Sequence, residues 1–165
     1  MTTCEDFIVS KEIIKNTPLG GELTDPQCAL LAAVVSSCGI KDGGFLIEEG
    51  QKDDAIHVLT KGRLEVLTRT GGGSLVTLQL LKEGDMVGEM GFIDGIEHTA
   101  SLRAIGNCEL IRLDRASFEG LIKKDPELVY KVMRSIIRTV HRILRGMNAQ
   151  HVELTNYIAK QHGRY

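Results

Sequence analysis

The sequence predicts an α+β architecture that is mainly β: a jelly-roll β-barrel with an N-terminal helix and a long C-terminal dimerisation helix. Three observations carry this expectation. Between about residue 40 and residue 113, short β-branched and leucine-rich runs are punctuated by glycines at Gly43-Gly44, Gly50, Gly62, Gly71-Gly72-Gly73, Gly84, Gly88, Gly91, Gly95 and Gly106. Many short strands at close spacing with glycine turns fit a small barrel or a double-sheet jelly roll. Before them, Thr24-Asp25-Pro26 reads as a helix start, an oxygen-bearing cap with Pro at the first helical position. After them, from Pro126 onward, apolar residues recur in steps of three and four with no further Pro.

Taken in order, the first helix runs from its Thr24 cap through Cys28 to Val35, and Gly39 is expected to stop it. Ala55 to Leu59, Arg63 to Thr68, Ser74 to Leu81, Ala100 to Ala104 and Cys108 to Leu113 read as separate strands. The triple glycine at 71–73 lacks the Lys-Ser or Lys-Thr of a phosphate loop and reads as a hairpin tip. Asp114 can cap a short helix through Phe118, Leu121 and Ile122, and Asp125-Pro126-Glu127 caps a much longer one. In that helix only Gly146 is a weak point before Gly163. Its seam is Met133, Ile136, Val140, Ile143, Met147, Leu154 and Tyr157, with polar Gln150 filling one slot. So long a helix must project beyond a small barrel, which favours a second copy of the chain as partner. The expected organisation is one unit: residues 1–126 as barrel with flanking helices, residues 127–165 as dimerisation helix.

Composition excludes several classes. The 165 residues allow one domain with a real core. A net charge of -2 gives no overall nucleic-acid footprint, and 4% aromatics without Trp leave few stacking platforms. No basic, apolar leader and no apolar stretch near membrane-spanning length is present, so a cytoplasmic location with no membrane contact is the default expectation. Cys4, Cys28, Cys38 and Cys108 form no C-x-x-C pair and match no metal-ligand spacing, so reduced thiols and no metal site are expected. No nucleophile elbow, His-Glu-x-x-His or carboxylate pair appears, and the chain is read as not an enzyme. On the long helix, Arg134, Arg138, Arg142 and Arg145 fall outward and read as a solvated basic face, with Lys131 beside them.

The chemistry concentrates between Gly84 and Ser101. Glycines at 84, 88, 91 and 95 let the backbone turn tightly beside a ligand. Backbone N–H groups around Glu89, Met90, Gly91 and Phe92 can converge on an anion, Glu89 can accept from a sugar hydroxyl, and His98 and Thr99 offer donors to the same anion. Together these groups form a candidate sugar-phosphate cradle.

With these residues in hand, roughly residues 19–145 resemble the cyclic-nucleotide-binding domain family, which includes the catabolite activator protein and protein-kinase-A regulatory subunits. Ile47-Glu48-Glu49-Gly50 and Ile56 through Val66 look like its paired strands with two structural glycines. Gly88-Glu89-Met90-Gly91 looks like the start of its phosphate-binding cassette, and Thr99-Ala100-Ser101-Leu102-Arg103-Ala104 like its end. The resemblance implies a jelly-roll barrel that binds cAMP or cGMP through Gly88, Glu89, Met90, Gly91, His98 and Thr99. It places Ile143 and Leu144 where the long helix can cap the purine. One position departs: the family's phosphate-binding arginine falls at His98, while Arg103 matches a different family arginine. A histidine offers one donor and a partial charge where arginine offers a permanent two-pronged one, so cyclic-phosphate binding is expected to be weak or absent. The functional expectation is a homodimeric sensor of a cyclic or related phosphorylated nucleotide that signals through the dimer helix to a protein effector. The alternative is a degenerate, ligand-free barrel acting as a protein-interaction module. About twenty residues follow Arg145, too few for a helix-turn-helix domain, so no specific DNA binding is expected.

Overall fold

The computed structural model describes residues 8–162. Two short helices open the chain, α1 (Lys11–Lys15) and α2 (Asp25–Ala32). The strands β1 (Ser36–Ile40), β2 (Phe45–Ile47), β3 (Ala55–Arg69), β4 (Leu75–Leu81) and β5 (Met86–Val87) follow. Helix α3 (Glu89–Asp94) then leads into β6 (Ser101–Asp114), α4 (Arg115–Glu119) and α5 (Pro126–His162). The strands form one antiparallel sheet in the order β1-β6-β3-β4, with β2 added on β6 and β5 on β3. The result is the antiparallel jelly-roll-like β fold with a long C-terminal helix, mainly β within an α+β class.

The β3–β6 ladder organises the interior. Successive side chains on a strand face opposite ways, and both faces here are buried. Ile56 and Val58 on β3, with Ile111 and Leu113 on β6, meet Leu31, Phe118, Leu128, Val132 and Ile136 of the helices. Their neighbours Leu59 and Leu110 turn the other way, into the barrel with Cys38, Ile40, Ile47, Leu64, Leu102 and Cys108. Each fully buried Leu or Ile contributes about 1.5–3 kcal/mol of hydrophobic stabilisation. Edge strand β4 is different: Leu75, Val76, Leu78 and Leu80 are exposed.

Several sequence expectations change here. The runs 55–59 and 63–68 are one strand, and so are 100–104 and 108–113. Register shifts between Leu59, Lys61 and Arg63 bend the ladder without ending it, so the glycine at 62 marks a bulge and not a turn. The helix that starts at Thr24, α2, stops at its C-cap Ala33. Gly39 lies inside β1, opposite Glu109, because pairing with β6 captures Ser36–Ile40. Asp114 precedes α4 but makes no side-chain cap; its carboxylate meets Arg112 at 2.7 Å instead. Asp125 does cap α5, accepting from the Leu128 N–H at 2.9 Å. Thr24 caps α2, accepting from the Gln27 N–H while the Gln27 side chain accepts from Thr24 N–H.

The largest correction concerns α5. Ile136, assigned to the dimer seam, is wholly buried in the chain's own core with Leu128 and Val132, and Met133 packs partly against the same core. The side left exposed carries Tyr130, Ile137 and Leu144 at seven-residue spacing, with Met147 and Leu154 beside them. Arg134 and Arg138 are not simply solvated: both pair with Glu22. Cys28, Cys38 and Cys108 are buried, and Cys4 lies outside the described residues. Among the described residues no helix is long and apolar enough to cross a membrane, and no group of three or more His, Cys, Asp or Glu residues is arranged to hold a metal.

Candidate ligand cavity

The loop singled out in the sequence folds around two glycines that no other residue can replace without movement. Gly88 sits at φ 88°, and a Cβ there would lie 2.5 Å from the Ala55 carbonyl oxygen. At Gly91 a Cβ would lie 2.3 Å from the Asp53 carbonyl oxygen. Both let α3 press flat onto the start of β3. The helix is held from behind as well. The Arg115 guanidinium donates to the Gly91 carbonyl at 2.9 Å, and Phe92 packs on Phe118 with ring centroids 5.5 Å apart. The returning segment is tied down by paired backbone bonds, Gly50 N–H to the His98 carbonyl and His98 N–H to the Gln51 carbonyl.

In front of this loop lies a cavity of about 650 Å³. That volume is within the usual range for small-ligand sites. Its loop wall is Gly88, Glu89, His98, Thr99 and Ala100. Apolar side chains of β3–β6, among them Val66, Leu81, Met86 and Leu102, form its floor. Its remaining wall is one face of α5: Thr139, Arg142, Ile143, Gly146, Met147 and Gln150. A second hollow, between α1 and α2, is lined largely by alanines, valines and Ser10, whose hydroxyl already caps α1.

Behind the loop wall lies a polar layer in which His57 is buried while Asp53, Arg112 and Asp114 stay partly exposed. Asp53 accepts from Arg112 at 3.0 Å, and Arg112 also holds Asp114. His57 Nε2 stands 3.7 Å from Asp53, beyond hydrogen-bond reach. Burial pushes the His57 imidazole down to about 4; Asp53 opposes this, while Arg112 and His98 add to it. His57 is therefore neutral at physiological pH, and its contact with Asp53 is not an ion pair. Desolvation raises the Glu89 carboxyl above its ordinary value, against a backbone hydrogen bond that lowers it. His98 Nε2 is enclosed with no hydrogen-bond partner among the described residues, so that nitrogen reaches the cavity only if the ring turns.

Of the residues named from sequence, Gly88, Glu89, His98, Thr99 and Ile143 line this one cavity. Gly91 lies behind it under α3, Met90 points to solvent, and Leu144 is exposed on α5 away from the lining. Arg103 is occupied by Glu65 across the β3–β6 ladder at 2.6 Å. Sequence reasoning missed Thr139, Arg142 and Gln150, assigning Arg142 to solvent and Gln150 to the seam. Their spacing with Ile143, Gly146 and Met147 is that of a single helix face, but composition alone does not say which face meets the barrel.

Residues 39–125 match the family model described as the cyclic nucleotide-binding domain. The cAMP-activated global transcriptional regulator CRP of Salmonella typhimurium is 31% identical over 124 residues, spanning 73% of this chain and 58% of that protein. The chain thus spans little more than half the length of this relative. A cyclic nucleotide-binding domain from Methylobacillus flagellatus superposes with a TM-score of 0.77 at 21% identity, covering 88% of this chain and 81% of that one. The Thermus thermophilus catabolite activator protein gives a TM-score of 0.73 at 24% identity, over 84% of this chain and 63% of that one. With a family match across more than half its length and the fold that match requires, the chain belongs to the cyclic nucleotide-binding domain family.

Proposed function

We propose that the cavity binds a cyclic nucleotide, cAMP or cGMP, or a related phosphorylated nucleotide, and that the chain is a non-enzymatic regulatory module whose output is carried by α5. The observation that carries this is the shared lining: Gly88, Glu89, His98 and Thr99 of the loop and Ile143 of α5 meet in one cavity. A ligand there touches the helix directly, so its binding energy can bias the helix position. Glu89 accepts a ribose hydroxyl, and Thr99 donates to the phosphate, joined by His98 once its ring turns. With His98 in place of an arginine, the site has no permanent charge in the loop, so weak affinity is expected. Titration calorimetry with cAMP and cGMP, backed by thermal shift, tests the reading. Micromolar or weaker binding with a raised melting temperature is expected. No shift and no heat with either nucleotide sinks it and moves the lead to the ligand-free interaction module.

The dimer is part of the same proposal, with a seam turned from the one read in sequence. Tyr130, Ile137 and Leu144 recur every seven residues, with Met147 and Leu154 at intermediate positions, all exposed. A parallel second copy covers such a stripe by knobs-into-holes packing. The output then passes through α5 to a protein effector, and no DNA-reading role is assigned to the described residues. Light scattering should give twice the chain mass at micromolar concentration, and Leu144→Asp should halve it. A wild-type monomer overturns this part.

A further inference from the structure

Resting on the nucleotide reading above, we infer that Gly146 forms a notch in the helical wall where a flat base inserts between Arg142 and Gln150, and that this notch prefers guanine to adenine. Three observations converge. The cavity face of α5 is built of Thr139, Arg142, Ile143, Gly146, Met147 and Gln150, so the wall has one gap, at Gly146. A Cβ at Gly146 would meet nothing within 4 Å, so no close packing in this chain requires glycine there. A helix interior disfavours glycine more than any residue but proline, so its presence calls for another reason. The gap is framed by Arg142 four residues before and Gln150 four residues after, which places both on the same side of the helix.

Arg142 is also unlike its neighbours. Arg134 and Arg138 pair with Glu22, and Lys131 pairs with Glu127. Among the described residues Arg142 has no carboxylate within 4.0 Å, although Glu89 and Asp85 line the same cavity. It is the cavity's unpaired permanent cation. A guanidinium only donates, and its two-pronged edge fits two adjacent acceptors. Guanine presents O6 and N7 side by side; adenine presents N7 beside a donating amino group. The Gln150 amide both donates and accepts, so it tolerates either base and leaves the discrimination to Arg142. Ile143 and Met147 supply apolar contact for the faces of the ring.

The test is calorimetric titration of the full chain with cGMP and cAMP, for wild type, Arg142→Gln, Gly146→Ala and Gly146→Leu, with melting temperature and mass measured on each. Wild type should bind cGMP about tenfold or more tightly than cAMP. Arg142→Gln should bring the two within about threefold by weakening cGMP alone. Gly146→Leu, which fills the notch, should lose both nucleotides while its melting temperature and dimer mass are kept, and Gly146→Ala, which fills it in part, should weaken both to a lesser degree. Equal affinities or a cAMP preference in wild type overturn the guanine assignment. An equal loss for both nucleotides in Arg142→Gln overturns it too, since the arginine then meets the phosphate. Wild-type binding by Gly146→Leu, or its conversion to a monomer, overturns the notch while the nucleotide reading stands. Absence of any binding by wild type removes that reading and the notch with it.

Discussion

Both halves of α5 carry apolar residues, and these meet opposite fates. From Leu128 to Ile136 the helix is bolted to the sheet, with Leu128, Val132 and Ile136 at 0% exposure. From residue 141 to residue 160 every side chain is exposed, including Leu144, Met147, Leu154 and Tyr157. The difference lies in what stands opposite. The first half meets the apolar side of β3 and β6, and the second half runs past the cavity and off the barrel. An amphipathic helix thus says that an apolar stripe will be covered, but not by what.

The sharpest way to break this comparison is a pair of adjacent substitutions. Ile136→Asp puts an unpaired carboxylate into a closed core and should cost about 4 kcal/mol or more, enough to unfold much of the population. Ile137→Asp, one residue on, should leave the barrel's unfolding free energy in urea within about 0.5 kcal/mol of wild type and act on chain mass in light scattering instead. Equal destabilisation by the two would show that the halves are not distinct.

The fixed region should also show its burial in acid. His57 titrates near 6.5 when unfolded and near 4 in the fold, so the unfolded chain takes up the proton first as pH falls. The stability contributed by its neutral burial is complete above pH 6.5 and drains away toward pH 4, by about 3 kcal/mol in all. Denaturant midpoints from pH 7.5 to 4.5 should fall more steeply in wild type than in His57→Gln. The raised Glu89 carboxyl works the other way over a neighbouring range, so the difference between the two proteins isolates the histidine.

The cavity lies against the start of the second half, and there His98→Arg should strengthen cyclic-nucleotide binding about ten- to hundredfold in calorimetry, the value of one charge-assisted hydrogen bond. Its effect on the melting temperature without ligand should be small. No gain would place the phosphate away from His98 and weaken the link between loop and helix.

The smallest effect is expected at Gly146, in the exposed half. Gly146→Ala should favour the local helix by about 0.5–1 kcal/mol. Amide exchange should slow between residues 141 and 155 and stay unchanged at Ile56 and Leu110. Slowing across the barrel as well would mean that the second half is coupled to the core.

The fold class, the caps at Thr24 and Asp125, and the loop glycines at 88 and 91 were all legible in the residues, because each is set by local chemistry: backbone conformations, hydrogen-bonding side chains and periodicity. The resemblance also groups Glu89, His98, Thr99 and Ile143, and these four line one cavity. That four strand-like runs are two bent strands emerges in three dimensions alone, since bulges become visible only against a partner strand. Tertiary packing alone captured Ser36–Ile40 into the sheet, where pairing with β6 outweighs any local preference to extend the helix. And it alone set the rotation of α5. Stripes offset by about 100° on one helix both contain apolar residues, and local chemistry cannot rank them. The packing of Val132 and Ile136 against β3 and β6 fixes that rotation, turning Arg142 and Gln150 toward the cavity and Leu144 away from it.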